Sequence, residues 1–402
     1  MFQLTKWIRI CFYNLFIVAT LGVILRYKIA FSLPFVDQKH LLHGHSHFAF
    51  SGWITQIIMV LMVHQLSQKT QQNYFKKYNF LLWGNLITAY GMLITFPIQG
   101  YGLWSISFST LSIINAYVFG FQFWMDLNKS KRSLNSYLWF KAAIVFNVIS
   151  SIGAFSLAYL MATKSVSQTS YLLSVYGFLH FQYNGYFFFS ITGLIVGIIE
   201  GASNNRKILN LSFWLFVIAC IPAYFLSALW LNLPNILFLL VVLSALAQCV
   251  AWYYLFLEIK RSTIFSKSSI LSKWILSLSA IALTIKIVLQ LFSNIPSLSN
   301  VAFGFRPIVI GYLHLMLLGV ITLGIIGYII NAELIKMRKI ATKGLILFVV
   351  GIFINQLLLM LQGLYAIEYT GMPHISELLL FAAITMFTGL LLLNYGIINN
   401  ED

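Results

Sequence analysis

The chain has 402 residues, 60% of them hydrophobic and 8% charged, with a formal net charge of +16 at pH 7. So much apolar surface with so little charge excludes an ordinary soluble domain and a disordered chain, and points to a membrane protein. No Walker loop, zinc-protease helix, hydrolase elbow or paired-cysteine motif occurs, so the common soluble chemistries have no foothold.

Apolar stretches of about 20 residues, long enough to cross a bilayer as helix, recur along the chain. They predict twelve helices, at 8–30, 43–66, 78–97, 103–125, 138–162, 174–199, 209–231, 235–257, 273–293, 307–331, 344–366 and 374–397. Glycine, proline and polar clusters fall between them. The first run is too long for a signal h-region and lacks a small-residue cleavage site, so it reads as an uncleaved anchor.

Basic residues occupy alternate gaps. Lys6 and Arg9 precede the first helix, and Lys69, Lys76 and Lys77 follow the second. Lys129, Lys131 and Arg132 follow the fourth, and Arg206 and Lys207 the sixth. Lys260, Arg261 and Lys267 follow the eighth, and Lys336, Arg338, Lys339 and Lys343 the tenth. By the positive-inside rule this alternation places both termini in the cytoplasm and the chain in the inner membrane. The charge is topogenic: it implies a lipid bilayer and no nucleic-acid partner. Cys11, Cys220 and Cys249 lie singly in apolar runs and read as small packing residues.

Three histidines recur at nearly equal intervals. His47, His180 and His314 are separated by 133 and 134 residues, and each is followed five positions later by a glycine, Gly52, Gly185 or Gly319. Three units of 134 make 402, so the chain reads as a triplication over about 1–134, 135–268 and 269–402 within one transmembrane domain. The expected fold is an all-α polytopic membrane protein of twelve helices in three pseudo-repeated four-helix arcs. Helices 2, 6 and 10 then run from outside to inside, and the three histidines sit roughly 10 Å below their outer ends at 1.5 Å per residue. His374, after Pro373, joins this layer, whereas His64 lies near the cytoplasmic side. Polar side chains in hydrocarbon are costly and normally face the bundle interior with a functional role.

His40, His43 and His47 form one helical stripe, while His45 points about 200° away at 100° per residue. Neutral imidazole ligates haem iron and copper, and a glycine below each histidine admits a close neighbour, helix or macrocycle. The plain alternative is a set of interhelical hydrogen bonds or an exposed outer cap. A bis-histidine pair of His43 or His47 with His314 would suit a haem, and His45, His180 and His374 are the candidate ligands for a second metal.

The stretch His45-Ser46-His47-Phe48 resembles the His-x-His ligand motif of haem-copper oxidase subunit I, and Phe48-Ala49-Phe50-Ser51-Gly52 resembles helix 2 of cbb3-type oxidases. His180-Phe181-Gln182-Tyr183-Asn184-Gly185 is loosely similar to the copper-ligand region of helix 6 in those oxidases and in nitric oxide reductases. The resemblance implies a b-type haem, with copper as a second candidate, and cytochrome or other redox subunits as partners. Two departures stand out: residues 209–231 hold no histidine, so the family's helix 7 copper pair is absent, and His-x-His falls on helix 2 rather than helix 10. The chain therefore looks like a divergent relative, in the manner of NnrS-like haem-copper membrane proteins, and its being an oxidoreductase stays open.

Lys286, Gln248, Asn355 and Gln356 are polar residues inside predicted helices, readable as a proton path or as paired hydrogen bonds. Glu377 is one turn from His374, as a partner for the imidazole or as a surface acid. Arg306, with Arg26 and Lys28, could hold haem propionates or snorkel to the interface. The leading expectation is a membrane haem redox protein that passes electrons or acts on a diatomic gas. The alternatives are a transporter, which Gly/Pro breaks in matching spans would favour and which this sequence lacks, and a copper-handling or assembly protein.

Overall fold

A computed structural model describes residues 2–130, 134–201, 205–262, 268–299 and 305–398. Lys131, Arg132 and Lys267 of the basic series lie outside the described residues. Among the described residues the regular structure is helical, apart from a two-residue antiparallel pairing of β1 (Lys336–Met337) with β2 (Ile397–Ile398). Among the described residues, eleven helices are long and apolar enough to cross a membrane, or twelve if one bent pair counts as a single span. By helix length and hydropathy this is a multi-pass membrane protein.

In chain order the spans are α1 (Phe2–Ala30), α2 (Gln38–Thr70), α3 (Phe75–Gln99), α4 (Leu103–Lys129), α5 (Asn135–Ala162) and α6 (Gln168–Ile199). They continue as α7 (Arg206–Cys220, bent by 45° into Pro222–Ala228), α8 (Asn235–Arg261), α9 (Ile270–Phe292), α10 (Arg306–Asn331), α11 (Lys339–Ile367) and α12 (Ile375–Gly396). Starts are set by short polar side chains that accept a backbone N–H the helix leaves open. Asp37 caps α2, Ser167 caps α6, Asn205 caps α7 and Ser269 caps α9.

Contacts divide the chain into two compact units where the sequence suggested one domain: Met1–Ser130 with Ala332–Asp402, and Lys131–Asn331. In the first unit α11 and α12 return to pack on α1. Asn394 Nδ2 donates to the Phe12 carbonyl at 3.3 Å, and the Phe16 and Phe387 rings stand 4.9 Å apart. The α11–α12 pair is close because Gly344 and Gly389 lie backbone to backbone, where a Cβ on either would stand 2.5 Å from a main-chain nitrogen of the other helix. Asp126 of α4 is buried and takes both the Lys77 ammonium, at 2.6 Å, and the Tyr78 hydroxyl, at 2.7 Å, from α3. In the second unit the buried Glu200 carboxylate accepts from the Ser136 N–H and hydroxyl at the start of α5.

The helices that bear the periodic histidines differ from all others. Their apolar windows are 78% (α2), 83% (α6) and 72% (α10) buried, against 17–50% in the remaining spans, so they form the interior of their units. Each is also α-helical, then π-helical, then α-helical again. The π segments are Ala49–Thr55, Phe181–Phe187 and Leu315–Thr322, each opening one or two residues after the histidine and containing the following glycine. A π turn leaves the regular ladder and tends to occur at functional sites.

The preceding helix packs on each π segment. Asn14 of α1 donates to Gly52 O at 2.6 Å, and Ser279 of α9 donates to Val320 O at 2.8 Å. Between α5 and α6, Gln182 donates to Asn147 Oδ1 at 2.9 Å. Asn85 adds a bond to Ser51 O at 3.0 Å and another to Gln56 Oε1 at 2.7 Å, and Tyr90 donates to Asn14. Buried amides thus serve carbonyls that irregular backbone would otherwise leave short of partners.

Candidate functional site

The histidine stripe of α2 lies against α3 and the turn that follows it. The His47 ring stacks on Phe96 at 4.2 Å and 15°, with Nε2 3.4 Å from the Tyr101 hydroxyl. His43 meets the same tyrosine edge-on at 4.7 Å, and its Nε2 is buried with no hydrogen-bond partner. Within this unit the stripe therefore faces aromatic side chains. His45 points the other way, as the helical spacing predicted, with Cε1 3.6 Å from where a Cβ on Gly22 of α1 would sit.

Asp37 sets the start of this stripe. Its carboxylate accepts the His40 N–H at 2.8 Å, and that bond, with the positive charge nearby, holds its pKa below the ordinary value. A folded pKa below the unfolded value of about 3.9 means the cap stabilises fully above that pH and is lost as pH falls through the lowered value. The protection factor of the His40 amide, its exchange rate set against the intrinsic rate at each pH, should fall in acid below that point and stay flat between pH 5 and 7, by the order of these two pKa values. A protection factor that falls between pH 6 and 7 instead would refute this cap.

In the second unit, His314 Nδ1 lies 2.8 Å from the Ile310 carbonyl one turn earlier. Donation there assigns the proton to Nδ1 and the lone pair to Nε2, the tautomer used by metal-ligating histidines whose other nitrogen is held by a carbonyl. Arg306, at the first turn of α10, is exposed.

His180 is different. Its Nε2 lies 2.9 Å from the Cys220 carbonyl and its Nδ1 3.1 Å from Asn184 Nδ2. A carbonyl only accepts, so Nε2 carries the proton and Nδ1 accepts from Asn184; neither nitrogen has a lone pair left for a metal. The Cys220 carbonyl lies at the bend of α7, where Pro222 has no N–H to continue the ladder. The run expected as one regular helix over 209–231 is broken there, and His180 serves a carbonyl at the break.

His374 has a left-handed backbone, φ +54°, before α12, and its side chain is 82% exposed. Glu377 lies beside it, as expected, at 3.8 Å from Nδ1, a solvent-facing pair of little energetic weight. Lys28 donates to the Leu33 carbonyl at 2.8 Å, closing the end of α1. Among the described residues no three His, Cys, Asp or Glu side chains converge as a metal-binding group. The glycines expected to admit a neighbour are filled from the protein: Gly52 by the Phe48 ring, Gly185 by Phe146 of α5 and Gly319 by Ala282 of α9.

Four residues of consequence were not singled out as site residues from the sequence: Asn184, Cys220, Phe96 and Tyr101. Asn184 had a signal, since it stands four residues after His180 and so on the same helix face. Phe96 and Tyr101 had none, because aromatics are common throughout the chain and only packing selects these two. Comparison with protein-family models and with curated proteins finds no match to this chain.

Proposed function

We propose that the protein is a membrane-embedded redox protein carrying a b-type haem, a divergent relative of haem-copper oxidase subunit I. The observation that carries the reading is the threefold recurrence of a buried α–π–α helix with histidine at the end of its first α-helical part, in α2, α6 and α10. That recurrence also favours three repeats of four helices. The basic residues in alternate gaps support cytoplasmic termini and an inner-membrane location.

His43 in the first unit and His314 in the second each carry, within their own unit, features of a haem ligand. The first offers a buried Nε2 with no hydrogen bond, and the second has its Nδ1 held by a carbonyl so that Nε2 keeps the lone pair. His47 is a further candidate on the same stripe, and Arg306 is a candidate for propionate binding. A haem held by histidine would supply reversible one-electron iron chemistry; the protein's part is to fix the imidazole tautomer, surround the ligands with aromatics and keep water out. Copper does not fit His180, whose nitrogens are both engaged, and the exposed His374 offers no enclosed site. The reading is therefore electron transfer or diatomic-gas chemistry at haem.

The test is a reduced-minus-oxidised optical spectrum of the protein purified from membranes in mild detergent. A b-type haem band with about one haem per chain is expected; a colourless, folded protein would overturn the reading. A second reading, a transporter, is favoured by one observation: α7 is broken, and its carbonyl at the break lies beside buried polar side chains, as in carriers with discontinuous helices.

A further inference from the structure

We propose that the cavity at the break of α7 binds one small monovalent anion of halide size, with the Lys286 ammonium and the Gln248 amide as its donors. The cavity lies within the second unit and is lined on its polar side by His180, Asn184, Cys220, Gln248 and Lys286. It does not involve the histidines proposed for haem, so it stands or falls separately.

The charge balance points to an anion. Lys286 is 4% exposed, six residues before the end of α9, which is about 9 Å along the helix at 1.5 Å per residue. A buried ammonium needs a counter-charge or a dense set of acceptors. Among the described residues no carboxylate pairs with Lys286; the titratable side chains that line the cavity with it are those of Cys220 and His180. His180 cannot serve as a base toward it, because both ring nitrogens are already bonded.

Unused hydrogen-bonding atoms point the same way. Gln248 is 6% exposed, and its Nε2 is buried with no partner; Asn184, 7% exposed, has an unpartnered Oδ1. Native interiors seldom leave such atoms unpaired, and each carries a desolvation cost that a bound ligand would remove. An amide N–H and an ammonium are both donors, which suits an anion. Asn184 lines the same space, and its Oδ1 is of the type that accepts an ammonium N–H.

Size and walls select the class. The free space admits about one water-sized body, too little for phosphate or a carboxylic acid. Phe188, Phe216, Leu283 and Ile287 complete the lining. Apolar walls of this kind penalise a multiply charged ion far more than a singly charged one. A water molecule alone would satisfy the amides but leave the ammonium without a counter-charge.

The experiment uses the full-length protein in detergent, exchanged into gluconate buffer and titrated with chloride, with the chloride NMR line width as the readout. Saturable excess broadening that bromide competes away is expected for the wild type. It should vanish in Lys286→Met and weaken about tenfold or more in Gln248→Leu, the loss of one hydrogen bond to a charged group. Wild type that broadens no more than a detergent and lipid blank, or full broadening in folded Lys286→Met, would overturn the proposal. If Lys286→Met does not fold, Gln248→Leu decides: a titration identical to wild type refutes the site, and a weakened one supports it.

Discussion

His314→Ala is expected to remove the haem spectrum while leaving a folded helical protein. The His314 side chain bonds the carbonyl one turn back in its own helix, an interaction with small structural weight. Loss of an imidazole that would hold the haem iron, by contrast, would remove an iron–nitrogen bond for which hydrogen bonding offers no substitute. His43→Ala should weaken haem retention or shift its bands, and His45→Ala should do neither, because His45 points away toward α1. Haem content by pyridine extraction, with far-ultraviolet circular dichroism as the folding control, measures all three. Full haem content in the His314 and His43 variants, singly and together, would leave these residues no role as ligands.

The second large effect concerns stability rather than spectrum. His180→Ala should cost about 2–6 kcal/mol, since it strips the Cys220 carbonyl and the Asn184 amide of a buried partner at about 1–3 kcal/mol each. The break of α7 is the first place the loss would be felt, because Pro222 already denies that turn a backbone donor. Metal content should be unchanged, as neither nitrogen of His180 has a free lone pair. His180→Gln, which keeps a donor and an acceptor, should recover part of the loss. Unfolding of the detergent-solubilised protein reads the difference; a cost below about 0.5 kcal/mol, the range of an ordinary surface change, would show that the carbonyl finds another donor.

Much of the architecture was legible in the residues. Hydropathy located the eleven long apolar helices among the described residues, and a twelfth if the bent pair counts as one span, because a helix that meets lipid must be apolar over a length set by the bilayer. The separate outlook of His45 followed from 100° per residue alone, and the contact at Gly22 bears it out. The spacing of His47, His180 and His314 marked the three helices that turned out to be most buried.

The candidate sites were less legible, for reasons that differ residue by residue. Pro222 was visible in the run over 209–231, yet many transmembrane helices accommodate proline, and whether one breaks depends on who serves the freed carbonyl. Here His180, forty residues earlier in the chain, serves the Cys220 carbonyl at the break. The π segments leave no mark in hydropathy, since one extra residue in a turn changes neither composition nor length. They are retained where Asn14, Asn85 and Ser279 reach carbonyls along them.

The sequence by itself determined the solvent this chain requires, the approximate position of its helices and the faces on which its histidines stand. These follow from transfer free energy and helical geometry, both local properties. Tertiary structure alone decided which polar atoms are paired. It turned His180 from a candidate metal ligand into an imidazole with both nitrogens hydrogen-bonded, and it set Lys286 and an unpartnered Gln248 Nε2 along one cavity. Pairing depends on side chains from four helices, α6 to α9, meeting within hydrogen-bond range, and no local pattern encodes that encounter.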